Sequence, residues 1–197
     1  EIADRDWSSD VCSSDLQRLA PAIEAAGGQA LMYKTGHSLI KAKMKEVEAA
    51  GGQAPLGGEM SGHIFFKERW YGFDDGLYTA ARLLEIITKS KKDVSDLFAE
   101  LPNSINTPEL KLAIAEDKKF AFIQAFQTHV DFPDAKLTKI DGVRAEFSDG
   151  WGLVRASNTS PYLILRFEAD NLPALKRIQA LFANALLAMD PDLKLPF

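Results

Sequence analysis

The stretch VRAEFSDGWGLVRASNTSPYLILRFEA, residues 143–169, decides the fold of the C-terminal half. Val143, Ala145 and Phe147 alternate with polar residues up to Ser148-Asp149-Gly150. An Asp-Gly step between apolar runs is a strong hairpin signal. Trp151 to Ala156 then returns as a strand, and Tyr162 to Ala169 forms another after a polar connection. Upstream, Leu110, Leu112 and Ile114 alternate as a strand, and Asp117 stands where it can cap a helix carrying Phe120, Ile123 and Phe126. Downstream, Leu172, Leu175, Ile178, Leu181, Phe182 and Leu186 form one apolar helical stripe, fit to pack on a face of the sheet.

The N-terminal half alternates strand and helix periods instead. Leu16, Leu19 and Ile23 suit a helix ending at Gly27-Gly28, followed by a strand at Ala30–Tyr33. After Lys34-Thr35-Gly36-His37, the residues Ile40, Met44 and Val47 give another helical stripe. A glycine-rich stretch leads through Gly58-Glu59-Met60-Ser61-Gly62-His63 into an aromatic segment, Ile64 to Phe73. Asp74 and Asp75 are placed to cap a helix with Leu77, Ala81, Leu84 and Ile87, and Val94 to Leu101 reads as a short helix ending at Pro102. Two prolines bracket Asn103 to Thr107, which marks the domain boundary. The expected fold class is α/β plus α+β. A mixed α/β sheet domain over 16–101 precedes a smaller antiparallel-sheet domain with flanking helices over 105–197.

Residues 1–15, EIADRDWSSDVCSSD, stand apart. They are rich in Ser and Asp, show neither period, and resemble a translated sequencing adapter, so they read as a non-native leader with the fold starting near Leu16. The heptapeptide EAAGGQA occurs at 24–30 and again at 48–54, too short a repeat for a solenoid unit.

Composition bounds the function. The 197 residues are 46% hydrophobic and 26% charged, which is ordinary for a globular chain. The single cysteine, Cys12, excludes an internal disulfide framework. No apolar run reaches the roughly 18 residues of a membrane helix, so a cytoplasmic protein without a membrane partner is expected. The net charge is −5, and without the first fifteen residues it is −1, with 22 basic against 23 acidic side chains. Such a body offers no broad field for nucleic acid, whose binding depends on phosphate neutralisation. An anionic ligand must be held by a local cluster.

Three loops carry the residues for one. In Arg155-Ala156-Ser157-Asn158-Thr159-Ser160-Pro161 a guanidinium precedes a run of hydroxyl and amide side chains. A phosphate uses that set: Arg gives two parallel charged hydrogen bonds, and hydroxyls and N–H groups fill the other oxygens. The plain alternative is a polar hairpin loop. In Gly58–His63, Glu59, Ser61 and His63 alternate and point one way if the segment is extended. Glu accepts from sugar hydroxyls and His moves protons near neutral pH; the alternative is a glycine-rich connection. Lys34–Ser38, with His37, opens a helix, where free N–H groups favour anions. No spacing typical of a zinc site occurs. The aromatic run Phe65, Phe66, Trp70, Tyr71 and Phe73 is expected in the core.

Together KTGHSLIKAKMKE at 34–46, GEMSGHIFFKERWYGFDDG at 58–76 and GWGLVRASNTSPYLILRFEA at 150–169 resemble the C-terminal half of the bacterial phosphomannomutase/phosphoglucomutases, members of the α-D-phosphohexomutase family. The resemblance runs from about Leu16 to Phe197 and implies domains three and four of a four-domain enzyme. Such enzymes interconvert hexose 1- and 6-phosphates of mannose and glucose, using a phosphoserine, Mg²⁺ and a hexose 1,6-bisphosphate intermediate. The resemblance implies Glu59 and Ser61 on the sugar hydroxyls and His37 and His63 nearby with contact or proton-transfer roles. It also implies Arg155, Ser157, Asn158 and Thr159 on the phosphate distant from the reacting end. No DGDGDR metal loop or phosphoserine domain is in this sequence, so the chain is expected to bind hexose phosphates without catalysing, its partner being the enzyme's missing N-terminal domains. The family's DVKCT-like segment is replaced by Asp10-Val11-Cys12-Ser13-Ser14. The stretch Val47 to Gly57 is several residues longer than the family pattern. The competing expectation is a stand-alone sugar-phosphate-binding or regulatory module.

Overall fold

The computed structural model describes residues 7–12, 18–101 and 103–197. The chain divides into two compact units between Asn103 and Ser104, inside the proline-bracketed stretch.

The first unit holds a four-stranded sheet. Its elements run β1 (Trp7–Cys12), α1 (Leu19–Ala25), β2 (Gly28–Tyr33), α2 (His37–Ala49), β3 (Leu56–Gly58), β4 (Ile64–Phe66), α3 (Gly76–Ser90) and α4 (Val94–Ala99). The strand order is β2-β1-β3-β4, with β1 parallel to both β2 and β3 and β4 antiparallel to β3. The fold therefore starts earlier than its composition suggests. Trp7–Cys12 lies mid-sheet, whereas residues 1–6 and 13–17, including Ser13, Ser14 and Leu16, are outside the described residues. A parallel ladder is made of backbone N–H and C=O groups, which Ser and Asp carry as well as Val does, so side-chain periodicity is not required of it.

The EAAGGQA repeat has a structural counterpart. Both copies end a helix that feeds a strand, with Gly27 at φ 83° and Gly51 at φ 87°. At the second copy Gly51 N–H donates to Glu48 O (2.9 Å) and Gly52 N–H to Val47 O (3.0 Å). That is the paired 5→2 and 6→1 closure of a helix end, which needs a left-handed residue and so favours glycine. At the first copy Gly27 N–H makes the corresponding bond to Glu24 O (3.0 Å). The same stop signal is used once per strand–helix–strand unit.

Ile40, Met44, Ala54 and Phe65 form this unit's buried cluster. The aromatic run does not join it as a block. Phe65 is buried, but Trp70 is 37%, Tyr71 70% and Phe73 60% exposed. Beyond β4 the chain turns and no longer presents alternate residues to the cluster, and the rings pair with one another instead, Trp70 on Tyr78 at 4.3 Å and Tyr71 on Phe73 at 5.5 Å. Asp75 caps α3 by accepting from Tyr78 N–H at 2.9 Å. Ions tie α3 to the preceding loop: Arg82 to Glu68 at 2.5 Å, Arg69 to Glu68 and Glu85 at 2.9 Å each.

The second unit contains β5 (Ile105–Asn106), β6 (Leu110–Ala113), α5 (Lys119–His129), β7 (Lys136–Thr138), β8 (Val143–Phe147), β9 (Gly150–Ala156), β10 (Tyr162–Ala169) and α6 (Leu172–Met189). Its sheet runs β5-β10-β9-β8-β7, all antiparallel, with β6 also on β10. Asp117 is not the cap of α5; that position falls to Lys118, without a side-chain bond. Asn171 caps α6, accepting from Ala174 N–H at 2.9 Å. Ile178, Phe182 and Leu186 of α6 are fully buried against the sheet, together with Val143, Val154, Leu163 and Leu165. Gly152 makes this fit possible: a Cβ there would stand 2.5 Å from Phe182 Cε2.

Three outcomes follow. Gly152→Val should lower the unfolding free energy of the second unit by about 1–3 kcal/mol through overpacking, as read by urea denaturation. Hydrogen exchange should be slowest in β8 to β10 and α6 and faster throughout α3, none of whose residues is buried. Acid should weaken the α3 junction. Hydrogen bonds from Arg69 and Lys89 hold the Glu85 carboxyl at about 2, below its ordinary 4.5. For Glu68, burial pushes upward, but hydrogen bonds and charge from Arg69 and Arg82 leave it lowered. A carboxyl depressed in the folded state contributes stability above about pH 4.5 and loses it as pH falls toward 2. Glu85→Gln should flatten the melting temperature over that window, and an unchanged profile would count against the ion cluster.

Candidate functional site

In the first unit, two turns meet. The β2–α2 connection carries Lys34 to Gly36, and the β3–β4 hairpin carries Glu59 to His63. The hairpin is not extended, as the alternation of Glu59, Ser61 and His63 suggested. Glu59 N–H donates to His63 O (2.8 Å) and Gly62 N–H to Glu59 O (3.0 Å), closing a tight reversal. Pairing of Gly58 with Ile64 forces that closure, because only five residues remain to join the two strands. The reversal leaves Ser61 exposed at the tip.

The carboxylate of Glu59 reaches across to the other turn and accepts from Gly36 N–H at 2.6 Å. One of its oxygens thus fixes the mouth of α2, while a carboxylate retains further lone pairs for a ligand hydroxyl. His37, the first residue of α2, lies 5.9 Å from the ring of His63. His63 Nδ1 meets Asp74 Oδ2 at 2.6 Å. A carboxylate on one ring nitrogen fixes the tautomer and leaves Nε2 as the working atom. Three of the expected residues, Glu59, His37 and His63, are therefore together, and Asp74 joins them. Sequence reading had given Asp74 only a capping role; its distance of eleven residues from His63 hid the contact.

In the second unit, Arg155 is the penultimate residue of β9 and Ser157 to Pro161 turns back into β10. Ser157 N–H donates to Tyr162 O (3.0 Å), so the loop is clamped at its neck. Ser157 is buried; Asn158 and Thr159 are exposed. Ser157 Oγ accepts from Thr159 N–H (3.3 Å) and pairs with Ser160 Oγ (2.8 Å). Arg155 donates from Nη1 to the Ala156 carbonyl at 3.3 Å, while its buried Nε has no partner. No carboxylate pairs with Arg155 among the described residues. A buried guanidinium nitrogen without an acceptor is costly.

Magnesium does not fit here. Among the described residues no group of three or more His, Cys, Asp or Glu side chains converges as a metal site requires. Among the same residues no helix is long and apolar enough to cross a membrane.

Residues 9–105 match the family model "Phosphoglucomutase/phosphomannomutase, alpha/beta/alpha domain III", and residues 109–185 match "Phosphoglucomutase/phosphomannomutase, C-terminal domain". The chain belongs to the phosphoglucomutase/phosphomannomutase family. A phosphomannomutase/phosphoglucomutase of Pseudomonas putida is 56% identical over 181 residues, covering 92% of this chain and 38% of that protein. A family protein from Burkholderia thailandensis superposes with a TM-score of 0.88 at 47% identity, over 98% of this chain and 40% of its own. An Aspergillus fumigatus N-acetylphosphoglucosamine mutase in complex with glucose 1,6-bisphosphate shares the fold at a TM-score of 0.58, 12% identity, 93% of this chain and 39% of its own. This chain thus spans about two fifths of the length of these relatives.

Removing the Glu59 carboxylate should free the Gly36 amide. In Glu59→Ala, Gly36 N–H should lose exchange protection and the first unit about 1.5–3 kcal/mol, the cost of a hydrogen bond to a charged partner. An unmoved Gly36 resonance would show that the two turns are held by other means.

Proposed function

We propose that this chain is the substrate-recognising C-terminal half of a phosphohexomutase acting between hexose 1-phosphate and hexose 6-phosphate of mannose or glucose. The observation that carries the reading is the Arg155 loop, with a buried Nε lacking an acceptor beside Ser157 and exposed Asn158 and Thr159. In this reading Arg155, Ser157, Asn158 and Thr159 hold the phosphate that does not react. Binding energy from such a remote group orients the reacting end. Glu59, through the oxygen not bound to Gly36, and Ser61 take sugar hydroxyls. His37 and His63 move or hold a proton, with Asp74 setting the His63 tautomer. The glucose 1,6-bisphosphate held by the distant Aspergillus enzyme has the same chemistry as the intermediate proposed here. The phosphorylated serine and Mg²⁺ belong, in the same proposal, to the remaining length of the relatives, and the enzyme works in the cytoplasm.

Millimolar glucose 1-phosphate should shift the backbone amide resonances of Arg155 to Thr159 in the 197-residue chain. Arg155→Met should weaken that binding about tenfold or more. The chain by itself should turn over no glucose 1-phosphate. Amides that stay still at saturating ligand, or turnover by this chain alone, would overturn the reading.

A further inference from the structure

We propose that Lys119 is a positioning residue for the Arg155–Pro161 loop, its buried ammonium pinning the Ser160 carbonyl so that the loop stays open to a phosphate. The inference rests on the phosphate-loop reading above and extends it to a residue outside the loop.

Lys119 is fully buried, a state lysine almost never adopts unless paired. It is also the first residue of α5, where the helix dipole disfavours a cation, and the first turn of α5 has no acidic side chain to offset it. For packing alone, an apolar side chain of similar length would cost less. The charge at this position has two hydrogen-bonding partners, besides the Phe120 ring 5.1 Å away. Nζ donates to Ser160 O at 3.0 Å and pairs with Glu116 Oε1 at 2.6 Å. Glu116 is mostly exposed, so water screens that pair. The bond to Ser160 is the one that reaches the loop.

Its effect on the loop is directional. The Ser160 carbonyl accepts from Tyr162 N–H at 2.8 Å as well as from Lys119, so both of its lone pairs are used. A carbonyl facing a bound anion repels it; held on the ammonium, this one faces the protein interior. The Ser160 hydroxyl meets Ser157 Oγ, which accepts from Thr159 N–H. Lys119 therefore stands at the inner end of a hydrogen-bonded chain whose outer end is the loop backbone. Preorganisation of this kind lowers the ordering cost of binding.

The test compares the 197-residue chain with Lys119→Met, titrated with inorganic phosphate and followed by amide NMR. The substitution leaves no buried charge unpaired, because Glu116 is exposed. Affinity should fall about tenfold, and backbone order at Asn158 to Ser160 should drop in the free variant while β8 to β10 keep their exchange protection. Equal affinity with unchanged loop order overturns the inference and leaves the phosphate-loop reading standing. No phosphate-dependent shift in the unsubstituted chain overturns both. Should Lys119→Met fail to fold, the unsubstituted chain decides: the Lys119 ammonium signal should exchange slowly and move on saturation with phosphate, and a signal that phosphate leaves unmoved overturns the inference.

Discussion

The ladder between β9 and β10 constrains everything that the second unit presents to a ligand. It runs without a break from Leu163 opposite Ala156 to Ala169 opposite Gly150. Each strand is also paired on its other side, β9 with β8 and β10 with β5 and β6. A strand inside a sheet cannot slip by one residue without turning its whole buried face outward. The register therefore fixes where Ala156 leaves the sheet and where Tyr162 enters it. Five residues span that gap, with Ser157 N–H closing the neck and Lys119 holding the far side. Phe182 of α6, seated over Gly152, presses the same ladder from behind. Little of the loop is left to order when an anion arrives.

In the first unit, the buried cluster among the described residues is four side chains with Val47 packed alongside. A carboxylate–amide bond and a ring contact link the two turns bearing Glu59, His37 and His63. The apolar side chains of α3 stay open, with Leu77 87% and Leu84 60% exposed. Among the described residues, the apolar cluster of the second unit is large and that of the first is small.

Much of this was legible in the sequence because period and turn chemistry are local. The alternation of Val143, Ala145 and Phe147 before Asp149-Gly150 specified a hairpin, and the spacing of Ile40 and Met44 specified a buried helix face. What was not legible depended on contacts between distant residues. Trp7–Cys12 forms a strand through backbone groups that no side-chain pattern reports. Trp70, Tyr71 and Phe73 are aromatic in composition, yet they follow the last strand of their sheet and stay outside its core. Glu59 to His63 alternate as a strand would, yet Gly58 pairs with Ile64 and bends them into a turn. Asp74 reads only as a cap and Lys119 carries no signal in the sequence, and only the folded chain brings them to His63 and Ser160. The Arg155–Pro161 loop was singled out by residue type alone, a guanidinium followed by hydroxyls and an amide.

The most direct measurement is a crystal structure of this chain with glucose 1-phosphate bound. The account predicts the phosphate within hydrogen-bonding distance of Arg155 Nε and of the Ser157–Thr159 segment, with the Ser160 carbonyl still on Lys119. A phosphate seated away from Arg155, with Nε still lacking an acceptor, would contradict it.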